Sequence, residues 1–127
     1  MQIKKIIVDG QEVIFGASAR LPRLYRETFG RDVIKDMASL TESFRKVKEA
    51  RKAEKLSDLT VEDQLSVLDL SIFENIAYAM NKLAVPSVPD IDGWLDQFGT
   101  FDVYEILPEL LELWNINQKG MSVPKKK

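Results

Sequence analysis

The sequence contains neither cysteine nor histidine. Without cysteine the chain forms no disulfides and no thiolate sites, which is compatible with a cytosolic protein. Without histidine it lacks the commonest general base and the commonest metal ligand. It also shows no phosphate-binding loop and no nucleophile paired with a base. We therefore expect no metal, no cofactor and no enzymatic activity.

Long apolar runs are missing as well. No stretch approaches the ~20 apolar residues of a membrane-spanning helix, and the apolar run at residues 6–8 is too short for a signal peptide. We expect a protein of the cytoplasm that does not bind membranes. The formal net charge of −2 argues against nucleic-acid binding through bulk charge.

The chain has 127 residues, of which 45% are hydrophobic and 30% charged, values that are typical of one globular domain. Its patterns predict a mainly α fold: a single helical domain of about five helices with an N-terminal β-hairpin. The predicted domain covers residues 1–116, with the hairpin at residues 3–15. The polar segment 117–127 is predicted to be a disordered tail.

Two β-branched runs flank Asp9 and Gly10, and Asp-Gly between such runs indicates a hairpin. A hairpin alone is marginally stable, so one face must pack on other elements. Two interpretations stay open: the hairpin closes the core as a flap, or it offers an edge strand that pairs between subunits.

Residues 21–37 indicate a helix, a glycine stop and a second helix. Tyr25 and Phe29 are four residues apart and share a helix face. Gly30 suits the left-handed position after a helix, and Asp32 suits a cap or first-turn position. Ser18 is a plausible N-cap of the first helix. Arginines spaced by three form a basic stripe along it, made of Arg20, Arg23 and Arg26.

The second helix is predicted to run from Asp32 to Lys55. It has a narrow apolar stripe, formed by Val33, Met37, Leu40, Phe44 and Val47. Beyond this stripe the helix is charged, with basic residues Arg45, Lys46, Lys48, Arg51, Lys52 and Lys55. This end is a solvated helix end, a partner site or a nucleic-acid site, and it lacks aromatic residues for base stacking.

A third helix is predicted to begin at Thr60 and to end before Pro86. Its apolar stripe makes it the central core helix, with Leu65, Leu68, Ile72, Ile76, Met80 and Leu83. A short helix capped by Asp90 or Asp92 follows and runs through Phe98, with Trp94 packed on the body.

The last helix is predicted from Phe101 to Ile116, with Pro108 kinking or splitting it. It is apolar around much of its circumference, so it must be buried, either in its own fold or against another chain.

One segment of the chain resembles a known family. The pattern consists of Phe15, Ala17, Ala19, Pro22, Arg23, Tyr25, Arg26, Glu27, Phe29, Gly30, Arg31 and Asp32. It is similar to tail assembly chaperones of long-tailed bacteriophages and prophages, especially those of Gram-positive bacteria. Residues 77–80, residues 94–98 and a leucine-rich last helix holding Trp114 also fit, in the same order.

The resemblance implies a function without catalysis. Such chaperones bind the tape measure protein, a very long helical polypeptide, and keep it soluble while the tail tube polymerises around it. They are absent from the mature virion. The resemblance further implies a homo-oligomer in the bacterial host cytoplasm, and a longer form, made by ribosomal frameshifting, that engages the tail tube protein. The terminal Lys125, Lys126 and Lys127 are compatible with an A-rich slippery codon run.

We hypothesise that two surfaces bind the tape measure protein. One is the last helix, through Leu107, Leu111, Leu113 and Trp114. The other is the exposed end of the second helix, through Arg45, Lys48 and Lys52. The alternative is a helical adaptor or regulatory protein that binds nucleic acid through residues 45–55, which predicts steeply salt-dependent binding.

Overall fold

Two antiparallel strands open the chain, β1 (Gln2–Val8) and β2 (Gln11–Ala17). The computed structural model describes residues 1–52 and 66–121. Between the strands, Asp9 and Gly10 have φ values of 52° and 77°, the left-handed conformation that a two-residue type I′ turn requires. The predicted hairpin is confirmed, and its strands extend past both ends of the predicted range.

Helices make up most of the remaining described chain, which confirms the mainly α fold. The described ranges contain α1 (Leu21–Phe29), α2 (Val33–Lys52), α3 (Val67–Ala84), α4 (Ile91–Leu95) and α5 (Val103–Met121). None of these helices is both long enough and apolar enough to span a membrane.

The corner between α1 and α2 forms as predicted. Gly30 has φ 68° and its N–H donates to the Arg26 carbonyl at 2.8 Å, which is the left-handed helix stop that glycine adopts without strain. The Asp32 carboxylate accepts from the N–H groups of Ile34 and Lys35 at 2.9 and 3.3 Å. It therefore satisfies free donors at the start of α2.

The start of α1 differs from the prediction, because Ser18 does not cap it. The Ser18 hydroxyl instead accepts from the Arg20 N–H at 3.2 Å, and Arg20 occupies the cap position without a side-chain cap. Pro22 lies in the first turn, and its fixed φ favours a helix that begins immediately before it.

The start of α3 is set by Ser66, whose hydroxyl accepts from the Asp69 N–H at 3.0 Å while the Asp69 carboxylate accepts from the Ser66 N–H at 3.3 Å. This reciprocal pair is a capping box. The predicted start at Thr60 and the predicted core residue Leu65 lie outside the described residues. Leu68 is 55% exposed, so its prediction as a core residue is wrong. It lies in the first turn of α3.

Two later helix boundaries also differ. Asp90 caps α4 by accepting from the Gly93 N–H at 2.9 Å, as predicted, but the helix ends at Leu95 and the chain reaches Phe98 through turns. Helix α5 is not split at Pro108 and continues past Ile116 to Met121. An interior proline removes one helical hydrogen bond and crowds the preceding turn, and Pro108 occupies an exposed position of α5. Residues 117–121 of the predicted tail (117–127) belong to α5, and its remaining residues lie outside the described ones.

Helix α3 is the centre of the core, as predicted. It packs against β2, α1, α2, α4 and α5, and its inward residues are fully or almost fully buried: Ile72, Phe73, Ile76, Ala77, Met80 and Leu83. The hairpin lies against one side of this helix, and α1 and α2 lie against another.

One polar side chain of α3 joins three elements. The Asn81 amide N–H donates to the Ile14 carbonyl of β2 at 2.7 Å, and the Asn81 carbonyl oxygen accepts from the Trp94 indole N–H of α4 at 2.7 Å. Asn81 is 5% exposed and Trp94 is 1% exposed. Both ends of the amide are therefore satisfied inside the core, where an unpaired polar group is costly.

We expect Asn81→Ala to lower the free energy of unfolding by about 2–4 kcal/mol, because it leaves the Trp94 N–H and the Ile14 carbonyl buried without partners. Denaturant titration followed by Trp fluorescence measures this loss. Asn115→Ala, at an exposed position of α5, is the control and should change stability by less than about 0.5 kcal/mol. Equal effects at both positions would contradict the bridging role of Asn81.

Candidate binding surface

The segments that carry the family resemblance meet in a row of aromatic rings. Tyr25 packs on Phe29 with centroids 5.2 Å apart, Phe29 on Tyr78 at 6.2 Å, and Tyr78 on Trp94 at 5.5 Å. Trp94 continues the row to Phe98 at 5.4 Å. Because these rings are buried or half-buried, the shared aromatic residues build the core and are not a binding surface.

The corner contains a polar cluster that the sequence patterns did not predict. The Tyr25 hydroxyl donates to Asp36 at 2.7 Å, and the Arg31 guanidinium donates to both oxygens of the same carboxylate at 2.7 and 2.9 Å. Asp36 is 5% exposed. The cluster ties α1, the glycine corner and α2 together. Its sequence signal is weak, because Arg31 and Asp36 are five residues apart across a helix start.

Hydrogen bonding and burial shift the pKa values of Asp36 and Tyr25. Hydrogen bonding from Arg31 is the largest effect on Asp36 and holds the pKa of that carboxyl below its usual value, although burial opposes it. Burial, together with the hydrogen bond to the Asp36 carboxylate, raises the pKa of Tyr25 above its usual range. The corner is therefore stable with Asp36 ionised and Tyr25 neutral. Arg26, another residue of the predicted motif, is exposed.

The apolar face of α5 lies in the protein's own core. Leu107, Leu113 and Trp114 are 0%, 2% and 6% exposed, and Leu111 is half-buried against the same cluster. Of the two interpretations of this helix, the structure shows burial in the chain's own fold, so Leu107, Leu113 and Trp114 are not exposed to a partner in this fold. An apolar helix pattern shows that a helix is buried but not whether its own fold or a partner chain buries it. In this structure the other described elements cover the apolar face of α5.

The basic residues near the end of α2 have local partners. Arg45 forms ion pairs with Glu42 at 2.5 Å and Glu49 at 2.6 Å, and the Lys48 ammonium lies 5.8 Å from the Phe44 ring centroid. The side chain of Lys52 lies outside the described part of the chain. Arg45 and Lys48 therefore interact with side chains of their own helix. These contacts give no support to a nucleic-acid site.

The hairpin turn determines which backbone groups point outward. In a hairpin with a two-residue turn, the pair that flanks the turn is hydrogen-bonded and pairs then alternate along the strands. Val8 and Gln11 flank the turn here, so the pairs Ile7–Glu12, Lys5–Ile14 and Ile3–Gly16 are the non-hydrogen-bonded ones. Residues of these pairs direct their N–H and carbonyl groups away from the partner strand.

Helix α3 covers the outer edge of β2. The outward carbonyl of Ile14 accepts the Asn81 amide at 2.7 Å, as the alternation requires. A Cβ added at Gly16 would come within 3.3 Å of the Ala84 Cβ, which shows how closely the end of α3 approaches this strand. Helix α3 therefore packs against β2 and occupies the outward carbonyl of Ile14.

The outer edge of β1 has no hydrogen-bonded neighbour in residues 1–52 and 66–121. Among the described residues, no hydrogen bond from outside the hairpin reaches the backbone of β1. Met1, Ile3 and Ile7 are 63%, 59% and 64% exposed, and Lys5 between the two isoleucines is also exposed. We call Met1, Ile3, Lys5 and Ile7 the β1 edge surface; three of them belong to the seven-residue strand and Met1 precedes it. They form the main apolar surface of the hairpin.

The opposite face of β1 is fixed to the body. Lys4 forms ion pairs with Glu109 of α5 at 2.8 Å and with Glu112 of the same helix, and Val8 is buried. The Asp9 carboxylate in the turn accepts from the Gly99 N–H at 2.7 Å. The sequence signal for a two-sided strand is the adjacent Ile6 and Ile7, which place isoleucine on both faces.

No group of three or more carboxylates suited to a metal ion occurs in the described ranges. The chain has no histidine or cysteine to add. Comparisons with models of known protein families, with curated protein sequences and with solved structures found no match. Any function must therefore be argued from the surface and from the resemblance.

The Asp36 cluster predicts an acid-sensitive contribution to stability. Because the folded pKa of Asp36 lies below the unfolded value of about 3.9, its contribution is fully present above about pH 4 and is lost as the pH falls through the folded pKa. We expect Asp36→Asn to cost about 2 kcal/mol near neutral pH, and the gap to wild type to narrow below about pH 4.

Denaturant titrations of both proteins at a series of pH values measure this gap. Glu27→Gln, in an exposed pair with Arg23, is the control and should leave stability nearly unchanged at every pH. A gap between wild type and Asp36→Asn that stays constant down to about pH 2 would contradict the account.

Proposed function

We propose that this protein is a tail assembly chaperone of a long-tailed phage or prophage. It binds the tape measure protein and keeps it soluble in the bacterial host cytoplasm until the tail tube encloses it, and it is absent from the mature virion. The resemblance supplies the partner. The observation that carries the proposal is the β1 edge surface, an open apolar edge on a chain whose other apolar stripes are largely buried.

The size of this surface suits a chaperone that must later be displaced. A long helical polypeptide with exposed apolar stripes aggregates unless those stripes are covered. A surface of three large apolar side chains covers only a short stretch and binds weakly. Many copies acting together along one polypeptide bind strongly and still dissociate one by one. We therefore propose that the chaperone works as a homo-oligomer.

The family resemblance also extends the proposal to the tail tube protein. In this proposal a longer, frameshifted form carries an additional segment that engages the tube protein, while the hairpin and helices hold the tape measure. The gene tests this part directly, since an A-rich slippery run with an overlapping reading frame must then occur near its 3′ end.

Co-expression with the tape measure protein tests the proposal. We expect soluble tape measure protein that co-elutes with this chain in size-exclusion chromatography, and insoluble tape measure protein when this chain is omitted. The control is co-expression with an unrelated helical protein of similar size. Tape measure protein that aggregates equally with and without this chain would refute the function.

The same assay locates the surface. We expect the double variant Ile3→Thr, Ile7→Thr to lose most of the solubilising activity, since it removes exposed methyl groups while it keeps β-branched residues in the strand. Its free energy of unfolding should change by less than about 1 kcal/mol. Ile34→Thr, at a position of α2 that is 52% exposed, is the matched control. Equal solubilising activity of the Ile3→Thr, Ile7→Thr variant and the Ile34→Thr variant would exclude the β1 edge surface as the binding surface.

A further inference from the structure

We infer that the outer edge of β1 binds an extended segment of the partner protein, outside its helical stretches, as a third strand of the sheet, and that this segment carries an acidic residue between two apolar residues. The inference rests on the proposed function and deepens it, because it gives the β1 edge surface a binding mode and gives the partner segment a defined chemistry.

The backbone of β1 is arranged for strand addition. Ile3, Lys5 and Ile7 belong to the non-hydrogen-bonded pairs of the hairpin, so each directs one donor and one acceptor toward the open edge. The strand has seven residues, which is long for an edge that receives no hydrogen bond from the described residues. An added strand would satisfy these groups through main-chain hydrogen bonds, which supply much of the affinity in strand addition.

The side chains of the same three residues define what the added strand must carry. Ile3, Lys5 and Ile7 lie on one face because alternate residues of a strand share a face, and all three are exposed. The Cβ atoms of residues that lie directly opposite each other on neighbouring strands are about 5 Å apart. Apolar residues opposite the isoleucines and a carboxylate opposite the lysine are therefore complementary.

The charge of Lys5 favours an acidic partner segment over a second copy of β1 as the added strand. In a two-fold antiparallel pairing that places each Ile3 opposite the other copy's Ile7, the two Lys5 side chains stand directly opposite each other. Like charges in that position destabilise the pairing. Lys5 also has no ionic partner among the described residues, whereas Lys4 on the other face has Glu109 and Glu112. The observations therefore favour an acidic segment of another chain.

Amide hydrogen exchange with a short peptide tests the binding mode. The probe is a blocked peptide of alternating threonine and valine with one central glutamate, and its control carries lysine at the centre. We expect the glutamate peptide to slow exchange at the amides of Ile3, Lys5 and Ile7 by at least about tenfold. The Ile6 amide, which already bonds to β2, should change little.

Charge exchange between the two partners makes the test specific. Lys5→Glu should bind the lysine peptide better than the glutamate peptide, which reverses the preference of the wild type. Lys35→Glu, at an exposed position of α2, is the control and should keep the wild-type preference. Peptide binding without protection of the three amides, or equal binding of both peptides, would overturn the inference. If the three amides become protected as the protein concentration rises in the absence of peptide, the edge binds a second copy of the chain. That result would also overturn the inference.

The peptide assay tests strand addition and the co-expression assay tests the chaperone function, so one hypothesis can be refuted while the other is supported. Protection by the glutamate peptide together with insoluble tape measure protein would support strand addition and refute the chaperone function. Soluble tape measure protein with no protection of the three amides, in the peptide assay or in the complex, would support the chaperone function and refute strand addition.

Discussion

The hydrogen bonds of Asn81 join the hairpin to the helices. Its amide joins the outer edge of β2 to the central helix α3 and, through Trp94, to α4. This contact closes one edge of a two-stranded sheet whose other edge receives no hydrogen bond in the described part of the chain. A sheet of two strands has two edges, and closing β2 leaves β1 as the edge that is free to accept another chain. The proposed binding mode rests on that asymmetry, whereas the proposed partner rests on the resemblance.

The core explains why the resembling segments have their residue types. The aromatic row from Tyr25 to Phe98 connects three segments that are far apart in sequence. The cluster of Tyr25, Arg31 and Asp36 then fixes the angle between α1 and α2. These residues stabilise a framework, and the binding surface that we propose lies elsewhere, on a strand that the resembling pattern does not include. A family pattern can therefore mark the fold more clearly than the surface that binds.

Features set by local chemistry were predictable from the sequence. The Asp9-Gly10 turn, the stop at Gly30 and the caps by Asp32 and Asp90 each depend on a few neighbouring residues. Features set by tertiary contact were not. Asn81 and Asp36 find their partners only after folding, and the apolar pattern of α5 looks the same whether its own core or a partner covers it. The sequence offered the hairpin edge as one of two interpretations, and only the placement of α3 shows which edge is open.

The most direct test of this account is hydrogen exchange on the intact complex, analysed by mass spectrometry for the free chain and for the chain bound to the tape measure protein. The account predicts that binding protects β1, residues 2–8, and leaves α5 as slowly exchanging as in the free protein, because α5 is already buried. Protection confined to α2 or α5, with β1 exchanging at the same rate in both states, would contradict the claim that the open strand edge is the binding surface.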